Sequence, residues 1–306
     1  MENIVERRNL GSELGIGNIG LVLNPHSGDL GLGAVQPRKF NNIVYENGKV
    51  IKTAIGSTAK KSLDGERYWY ETIPDGLEDL FPEYIPSLDS VVLEKVNGST
   101  FTSLLLGNTL TVGYLNTLLE SVERIHQSHD SNDLGSHEDS IYYNYKDKVR
   151  SRFFDYDYSR FRNSTTVFGQ IISVVESYED AGLGHRSIIH GDPVFSNVLL
   201  TSTSTLKFID MRGEIGGRKT KFGDKFYDYA KIYQSLTGYD YILVEDRIES
   251  TPLKDVFEQY FVSNYGFEMM EYLKYLTASL YFSLIPLHDN DKCDQFYECI
   301  FDLIQA

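Results

Sequence analysis

The sequence predicts an α+β fold of two lobes, a small β-rich lobe at the N-terminal end and a larger helical lobe after it. The chain has 306 residues, 41% hydrophobic and 24% charged, so it is long enough to bury a core in two lobes. Strand patterns with a tight-turn signal dominate the region before residue 97, and amphipathic helical patterns dominate the rest. We therefore place residues 1–97 in an N-terminal lobe and 98–306 in a C-terminal lobe.

Net charge and cysteine content narrow the class of protein. The chain carries a formal charge of −15, and an acidic surface argues against binding to nucleic acids or to anionic membranes. Cys293 and Cys299 lack the spacing of a zinc site or a disulfide framework, so we expect reduced thiols in the core. The sequence shows no signal-peptide pattern and no apolar stretch that could span a bilayer, so we expect no membrane insertion and a cytoplasmic location.

A β-hairpin is predicted around Asn47-Gly48, because both residues tolerate the positive φ of a type I′ turn between two β-rich runs. In the second strand Val50, Lys52 and Ala54 share one face, which puts a lysine among small apolar neighbours. A buried ammonium is unfavourable unless it is paired, so this pattern predicts anionic partners for Lys52. The alternative is a solvated lysine on a surface hairpin.

A helix is predicted over residues 62–73, with Pro74 marking its end. Glu66 on this helix is the predicted partner of Lys52, and Glu71 is the second choice because both fit the spacing. A solvated helix glutamate is the alternative for either one.

Two glycine-rich runs precede the hairpin, at residues 15–20 and 28–33. The first matches the G-x-G-x-x-G-x-V pattern of a loop that covers phosphates, but it lies too far from Lys52 for that role. The second lies at a better distance and lacks the pattern. We leave the nucleotide-covering loop unassigned between them, since glycine motifs alone are weak signals.

The remainder of the chain is predicted to be mainly helical. A strand from residue 90 runs into a turn at Asn97-Gly98, which is the expected boundary between the lobes. We expect a tyrosine-rich surface that links helices over 142–161. Apolar residues recur at helical spacing in three later regions, 111–129, 167–181 and 252–306.

Polar side chains flank a second predicted hairpin, formed by the apolar runs 198–200 and 206–209. A hairpin brings its outer ends together, so Asn197 and Asp210 should lie side by side, with Asp192 on the loop before them. Carboxylate and amide oxygens are ligands that Mg²⁺ prefers. Asp192 would then be free to accept a proton from an attacking hydroxyl.

The order His190-Gly191-Asp192, then Asn197, then Asp210 resembles the catalytic loop and metal-binding aspartate of the protein-kinase-like superfamily. Gly191, where protein kinases have arginine, is similar to the aminoglycoside phosphotransferase and choline kinase branch, including kinase-like proteins of bacterial capsule loci. The resemblance implies a bilobal protein-kinase-like fold. It also implies transfer of a phosphoryl group from ATP, with Mg²⁺, to a hydroxyl of a small molecule such as a sugar or amino alcohol in surface polysaccharide metabolism.

The resemblance also implies a role for each matching residue. Asp192 would be the catalytic base, and Asn197 and Asp210 would hold Mg²⁺. Lys52 would bind the α and β phosphates, and Glu66 would fix Lys52.

Two further assignments follow from the resemblance. The strand that ends near Glu94 and Val96 is similar to the hinge between kinase lobes, whose backbone groups would bind the adenine edge. Asp228 lies where the superfamily has an aspartate that holds the backbone of the catalytic loop.

Four cations follow the metal aspartate in a glycine-rich loop: Arg212, Arg218, Lys219 and Lys221. In a chain of charge −15, this local positive charge predicts contact with an anionic acceptor, such as a phosphorylated or carboxylated sugar, or with the transferring phosphoryl group. The alternative is a solvated loop whose charges meet nearby acidic residues.

Two other functions fit part of the pattern. A protein kinase is opposed by Gly191 and by the short segment after Asp210. A pseudokinase, which would bind a nucleotide or a partner without transfer, is opposed by the presence of all the expected polar residues. The identity of the acceptor and the oligomeric state have no signature in the sequence.

Overall fold

A computed structural model describes residues 41–130, 141–245, 247–249, 251–288 and 290–305. Both glycine-rich runs that are candidates for the nucleotide-covering loop lie outside the described residues. The described part confirms the α+β prediction, with a small β-rich lobe followed by a larger helical lobe. The boundary placed after residue 97 falls between two strands and stays a prediction.

The strands are short and, where they pair, antiparallel. Their bounds are β1 (Asn41–Glu46), β2 (Lys49–Ala54), β3 (Tyr84–Ile85), β4 (Ser90–Glu94), β5 (Gly98–Thr100), β6 (Arg186–Ile188), β7 (Val198–Thr201), β8 (Leu206–Phe208), β9 (Glu214–Ile215), β10 (Arg218–Lys219) and β11 (Phe222–Asp224).

The helices lie mostly after β5. Their bounds are α1 (Ser57–Glu71), α2 (Phe101–Leu106), α3 (Val112–Gln127), α4 (Lys146–Asp155), α5 (Ser164–Asp180), α6 (Lys225–Gln234), α7 (Asp240–Glu245), α8 (Leu253–Leu284) and α9 (Asn290–Ile304). Shorter helical segments are the 3₁₀ turns Glu78–Leu80, Phe195–Asn197 and Ile285–Leu287 and the π-helical segment Ser235–Tyr239.

The N-terminal lobe is a four-stranded sheet in the order β1-β2-β4-β3, with α1 packed against β2 and β4. Asn47 and Gly48 both have positive φ, 50° and 73°, which confirms the predicted hairpin turn. The hairpin register pairs Ile43 with Lys52, so the strand that carries the lysine lies between β1 and β4 in the sheet.

Helix α1 begins five residues before the predicted start and ends two residues before the predicted end. Its N-cap is Gly56, with a φ of 91° and no side-chain cap, so the usual Ser, Thr, Asp or Asn signal for a helix start is absent. At its end, the Thr72 amide bonds back to the Trp69 carbonyl. In the sequence, Pro74 marked the end of the helix, and no comparable residue marked its start.

Helix α1 is anchored to the C-terminal lobe at two points. The fully buried Trp69 donates its indole N–H to the Ile189 carbonyl at 3.1 Å, just before the predicted catalytic loop. One turn earlier, Gly65 lies directly against the backbone of Gly213, and a Cβ at Gly65 would fall 2.8 Å from Glu214 Cβ. Only glycine permits such close backbone contact.

In the C-terminal lobe, β5, β7 and β8 form a three-stranded sheet, and β6 pairs with β11. Helices α5, α6 and α9 pack against the long helix α8, which bends at Gly266. The region 142–161 was predicted as a linking surface, and that was wrong in part, because it contains α4 with Val149 and Arg152 buried. Within the described ranges, no helix has both the length and the apolar content needed to span a bilayer.

The two cysteines lie in the C-terminal part of this core. Cys293 and Cys299 are both buried and unbridged, as expected from their spacing.

Candidate active site

A buried lysine connects the two lobes. Lys52 on β2 places its Nζ 2.7 Å from Glu66 Oε2 on α1 and also donates to Asp210 Oδ1 just after β8. All three residues are no more than 6% exposed. The predicted Lys52–Glu66 pair is therefore present. The second choice, Glu71, instead accepts from the Tyr84 hydroxyl and lies 3.7 Å from Arg67 Nε.

The charges of this set shift its acid–base properties. Burial lowers the pKa of Lys52, but the carboxylates of Asp210 and Glu66 outweigh burial and leave that pKa above its usual value. Burial raises the pKa of Glu66 to about 7, against the effect of Lys52 and with the effect of Asp210. One ammonium faces two carboxylates, so the set has an excess negative charge when both carboxylates are ionised.

The second predicted hairpin brings Asn197 and Asp210 together as expected. Strand β7 pairs with β8 in a register that sets Val198 opposite Phe208, and the Ile209 amide donates to the Asn197 carbonyl at 3.1 Å. Asp210 then turns out of the strand with a φ of 61°, in the left-handed region that aspartate tolerates better than most residues.

The Asn197 side chain is fully buried, and the NH2 group of its amide is held by a hydrogen bond. Its Nδ2 donates to the Asp192 carbonyl at 2.9 Å, which fixes the orientation of the side chain. Its Oδ1 has no hydrogen-bond partner among the described residues. A buried acceptor without a donor is uncommon and marks a place where a ligand or cation could bind.

Asp228 on α6 holds the backbone of the loop from His190 to Asp192. The amides of His190 and Gly191 each donate to one carboxylate oxygen of Asp228 at 2.8 Å, and His126 Nε2 lies 3.1 Å from the same carboxylate. The predicted role of Asp228 is confirmed by these bonds, and His126 supports the same carboxylate. His190 is also structural, since its Nδ1 accepts from the Asp192 amide and burial lowers its pKa.

Asp192 has a side-chain partner that the sequence analysis did not predict. Lys231 on α6 places its Nζ 3.0 Å from Asp192 Oδ1, and both side chains are less than 10% exposed. The attraction between the two opposite charges offsets part of the free-energy cost of burying them.

Sequence reasoning missed Lys231, although a signal was present. Lys231 lies between Ala230 and Ile232 in a helix whose neighbours are nearly all buried, so a lysine there needs a partner. The partner, Asp192, lies 39 positions earlier in the chain and could not be named from spacing alone.

An apolar cleft opens beside the Lys52 set, between the N-terminal sheet and β7. Its walls are mostly aliphatic, with the three charged residues of the set and Glu94 at its edge. It is lined by Ile43, Val50, Lys52, Glu66, Pro82, Val91, Leu93, Glu94, Val96, Leu199, Ile209 and Asp210. A flat apolar group could enter there with its polar substituents near Lys52.

Both predicted hinge residues line this cleft. The Glu94 amide is already bonded to the Glu83 carbonyl at 2.9 Å, and the Lys95 amide to the Gly48 carbonyl at 2.8 Å. The Val96 amide has no acceptor in the described part of the chain. Of these amides, that of Val96 is therefore the one left for a ligand.

The four cations predicted to form a basic loop do not share one surface. Arg212 is partly buried beside the catalytic loop, where its amide donates to the His190 carbonyl at 2.8 Å. Arg218 and Lys219 are exposed on β10. Lys221 is buried, pairs with Asp130 at 2.8 Å and donates to the Thr72 carbonyl, so its role is structural.

A β-rich lobe above a helical lobe, with a buried lysine, glutamate and aspartate at the cleft between them, is the arrangement of the protein-kinase-like fold. No protein-family model matches this chain, and no curated protein sequence matches it significantly. The comparison with solved structures does find similar folds.

Three of the similar structures are named as small-molecule kinases or as members of such a family. Wild-type aminoglycoside 2′-phosphotransferase-IIIa in its GDP complex has a TM-score of 0.60 at 13% identity, over 92% of this chain and 94% of its own. A choline/ethanolamine kinase family protein from Mesorhizobium loti has 0.55 at 11%, over 92% and 90%. Choline kinase LicA from Streptococcus pneumoniae has 0.51 at 15%, over 87% and 89%. The fold is therefore that of the choline kinase and aminoglycoside phosphotransferase branch.

Proposed function

We propose that this protein is a phosphotransferase that moves the γ-phosphate of Mg-ATP to a hydroxyl group of a small molecule. The observation that carries the proposal is the buried set of Lys52, Glu66 and Asp210 at the edge of an apolar cleft, beside a loop that presents Asp192 and Asn197. Aliphatic walls can hold the nucleobase of a nucleotide, and a buried lysine can bind its phosphates. Phosphoryl transfer needs both.

In this function Lys52 binds the α and β phosphates. Its ammonium stays protonated, since two carboxylates hold its pKa above the usual value despite burial. Glu66 fixes the lysine through the 2.7 Å contact. The free amide of Val96, and the neighbouring carbonyl of Glu94, bind the edge of the base from the cleft wall.

The residues present fit a magnesium ion. Asn197 offers a buried Oδ1 that lacks a donor within the described residues, and Asp210 adds a carboxylate next to it along the hairpin. Two protein oxygens are a usual contribution to a Mg²⁺ site in which phosphates and water supply the rest. When bound, the ion neutralises phosphate charge. The described residues include no cluster of three or more His, Cys, Asp or Glu side chains that could hold a metal unaided.

Asp192 accepts the proton of the attacking hydroxyl. The backbone of its loop is fixed by the two bonds from Asp228, and its side chain is oriented by the 3.0 Å contact with Lys231. A base held this firmly is ready for a hydroxyl that arrives in the correct position. Lys231 thereby acts as a positioning residue for the transfer.

The fold supports an acceptor that is a small molecule with a hydroxyl group, and it does not narrow the class further. The similar structures are named for choline, ethanolamine and aminoglycosides, all of which carry hydroxyl groups. A sugar or amino alcohol of surface polysaccharide metabolism, and a cytoplasmic location, remain parts of the proposal that rest on the sequence resemblance.

The test is a thermal unfolding series with and without saturating Mg-ATP or Mg-GTP. We expect Mg-ATP to raise the midpoint of the wild type by several degrees, because a ligand at about 100 times its Kd stabilises the folded state by roughly 2.7 kcal/mol. Asp210→Asn should lose this shift. Asp180→Asn, an exposed substitution at the end of α5, is the matched control and should keep it.

Three results would contradict the proposal. The first is no shift in the wild type with either nucleotide, and the second is an equal shift in Asp210→Asn. The third is a nucleotide shift without transfer to any hydroxyl compound, which would favour a nucleotide-binding pseudokinase instead.

A further inference from the structure

Helix α6 makes two contacts with the predicted catalytic loop from neighbouring turns. Asp228 holds the backbone of the loop through two hydrogen bonds, and Lys231, three residues later, places its Nζ 3.0 Å from Asp192 Oδ1. Residues three apart are neighbours on one face of a helix, so the helix fixes the lysine relative to the loop. Lys231 therefore occupies a defined position beside the proposed base.

The backbone of Asp192 is held without any help from Lys231. The Asp192 amide donates to His190 Nδ1 at 3.1 Å, and the Asp192 carbonyl accepts from Asn197 Nδ2 at 2.9 Å. Both backbone polar groups of the base are thus satisfied by other residues. The contact with Lys231 concerns the side-chain carboxylate alone.

An ammonium is an unfavourable partner for a carboxylate that must accept a proton. A nearby positive charge favours the ionised carboxylate and makes it a weaker base. Once Asp192 has taken the proton, Lys231 keeps a positive charge at a position that is only 6% exposed. A buried charge without a partner is strongly unfavourable, so the proton transfer needs another negative charge to reach the lysine.

Lys231 enters this step as a cation. Burial lowers the pKa of the lysine, but other groups outweigh burial, with Asp192 the largest of them, and leave that pKa above its usual value. In the part of the chain that the structure describes, Asp192 is the one carboxylate in contact with Lys231. The reaction would therefore neutralise the charged partner of this lysine.

The Asp192 carboxylate also determines where the attacking hydroxyl would lie. A hydroxyl that donates to Asp192 lies about 2.5–3.0 Å from a carboxylate oxygen. The phosphorus that it attacks lies about 3–3.5 Å from the hydroxyl oxygen. Lys231 contacts the same carboxylate through a flexible four-carbon side chain, so a change of rotamer can bring its ammonium to the oxygens of the phosphoryl group.

We infer that Lys231 is a catalytic residue, whose ammonium passes from Asp192 to an oxygen of the transferring phosphoryl group as Asp192 takes the proton. A lone pair of the acceptor oxygen forms the new bond to the γ-phosphorus. The bond from phosphorus to the β–γ bridging oxygen breaks, and its electron pair leaves on ADP. The inference rests on the proposed function and adds a direct role for Lys231 to its role in orienting Asp192.

Binding of a phosphoryl mimic tests the inference without an acceptor. Mg-ADP is titrated by calorimetry with and without aluminium fluoride, which mimics the phosphoryl group during transfer. The ratio of the two affinities measures how well each variant binds the mimic. The variants are Lys231→Met, Lys231→Arg, Asp192→Asn and the double variant Lys231→Met with Asp192→Asn.

Two of the proteins serve to exclude trivial causes. The double variant leaves no buried carboxylate without its lysine, so it separates a loss of binding from a loss of folding. Lys225→Met removes the same charge from the other end of α6, where the Lys225 ammonium lies 3.5 Å from the Tyr265 hydroxyl, and is the matched control.

We expect aluminium fluoride to tighten the binding of ADP at least tenfold in the wild type, in Asp192→Asn and in Lys225→Met. Lys231→Met should lower the affinity ratio about tenfold, the equivalent of one hydrogen bond to a charged group, whether or not Asp192 is intact. Lys231→Arg should recover part of the ratio. Mg-ADP alone should bind equally well to all the variants.

The inference is overturned if aluminium fluoride leaves the affinity of the wild type unchanged, or if Lys231→Met keeps the wild-type ratio. It is also overturned if the loss appears only when Asp192 is intact, because the lysine would then act through Asp192 alone. An equal loss of affinity for Mg-ADP itself would likewise contradict a role in the transfer step.

Failure of the inference and failure of the proposed function give different results. If Mg-ATP stabilises the wild type but the affinity ratio does not depend on Lys231, the phosphotransferase proposal stands and the inference fails. If neither nucleotide stabilises the wild type, the phosphotransferase proposal fails, and the inference fails with it.

Discussion

The two sides of the candidate site pair their charges differently. On the nucleotide side, one ammonium, that of Lys52, contacts two carboxylates, those of Glu66 and Asp210. On the acceptor side, the carboxylate of Asp192 contacts one ammonium, that of Lys231, and Lys148 and Arg212 lie around the same Tyr227 ring as Lys231. A single cation is therefore shared by two carboxylates on the first side, whereas a single carboxylate is held by a single cation on the second.

The two sides also differ in burial, and therefore in how much their residues contribute to folding as well as to ligand binding. The nucleotide-side set is almost completely buried and connects the lobes, so its residues affect folding as well as ligand binding. In the acceptor-side set, Lys148 and Arg212 remain partly exposed. Substitutions should therefore affect the two sides in different measurements.

The largest effect is expected from Asp192→Asn. A carboxamide keeps the shape of the side chain and cannot accept the proton, so phosphoryl transfer should fall by about 10²- to 10⁴-fold. The thermal shift with Mg-ATP should persist, since Asp192 belongs to the acceptor side. Initial rates of nucleotide consumption with an acceptor provide the measurement, and Asp180→Asn controls for the charge change. Transfer at the wild-type rate would remove Asp192 from the mechanism.

Lys52→Met should break the nucleotide side itself. It leaves the buried carboxylates of Glu66 and Asp210 without the Lys52 ammonium, and removing one partner of a buried ion pair costs about 3–5 kcal/mol. Urea unfolding measures the loss. Lys49→Met on the same strand, at an exposed position, should change the free energy of unfolding little. Adding Glu66→Gln to Lys52→Met should restore part of the loss, and an absence of any restoration would argue against charge repulsion as the cause.

Asp240 shows what burial does to a carboxyl group that has no cationic partner among the described residues. It is 1% exposed and accepts from the Thr102 hydroxyl, and burial raises its pKa from 3.8 to about 6. The folded chain therefore holds this proton more tightly than the unfolded chain does. Its contribution to the free energy of unfolding falls as pH rises from about 4 to about 6, by roughly 3 kcal/mol in all.

Asp240→Asn should flatten this part of the pH profile and raise stability relative to the wild type near pH 7. Urea unfolding between pH 4 and pH 8 measures both effects, with Asp180→Asn as the control. An unchanged profile would show that Asp240 is ionised at the same pH in the folded and unfolded chains.

The smallest effect is expected from a pair of glycine substitutions. Gly191 and Gly217 have nearly the same φ, 85° and 84°, so Ala at either position has a similar backbone cost of about 1 kcal/mol. At Gly191 the new Cβ would also meet Arg212, whereas at Gly217 no heavy atom lies within 4 Å. Gly191→Ala should therefore lose more stability than Gly217→Ala, as measured by urea unfolding. Equal behaviour of the two variants would mean that Arg212 moves aside freely.

Much of the nucleotide side could be predicted from the sequence because its signals are local. The Asn47-Gly48 turn fixes the register that buries Lys52, and the β7–β8 hairpin fixes Asn197 beside Asp210. Glu66 was the first of two choices on one helix, and the contact with Lys52 selects it over Glu71.

The acceptor side could not be predicted in the same way. Lys148, Lys231 and Arg212 come from α4, α6 and the segment after β8, and tertiary packing alone brings them together. The expected loop cluster was wrong for Lys221, because this residue pairs with Asp130 in a buried position that no local pattern indicates. Helix α4 was missed because Val149, Phe153 and Phe154 are its only apolar residues, so its amphipathic pattern is weak.

The two anchors of α1 bear on how the lobes could move. Trp69 is bonded to Ile189 and Gly65 lies against Gly213, so α1 is attached to the helical lobe although it belongs in sequence to the sheet. A motion between the lobes that kept both contacts would leave α1 with the helical lobe, so Glu66 and Asp210 would stay together and Lys52 would move with the sheet. The contact between Lys52 and Glu66 would then depend on the relative position of the lobes, and a movement of α1 away from the helical lobe would first have to break the Trp69 hydrogen bond.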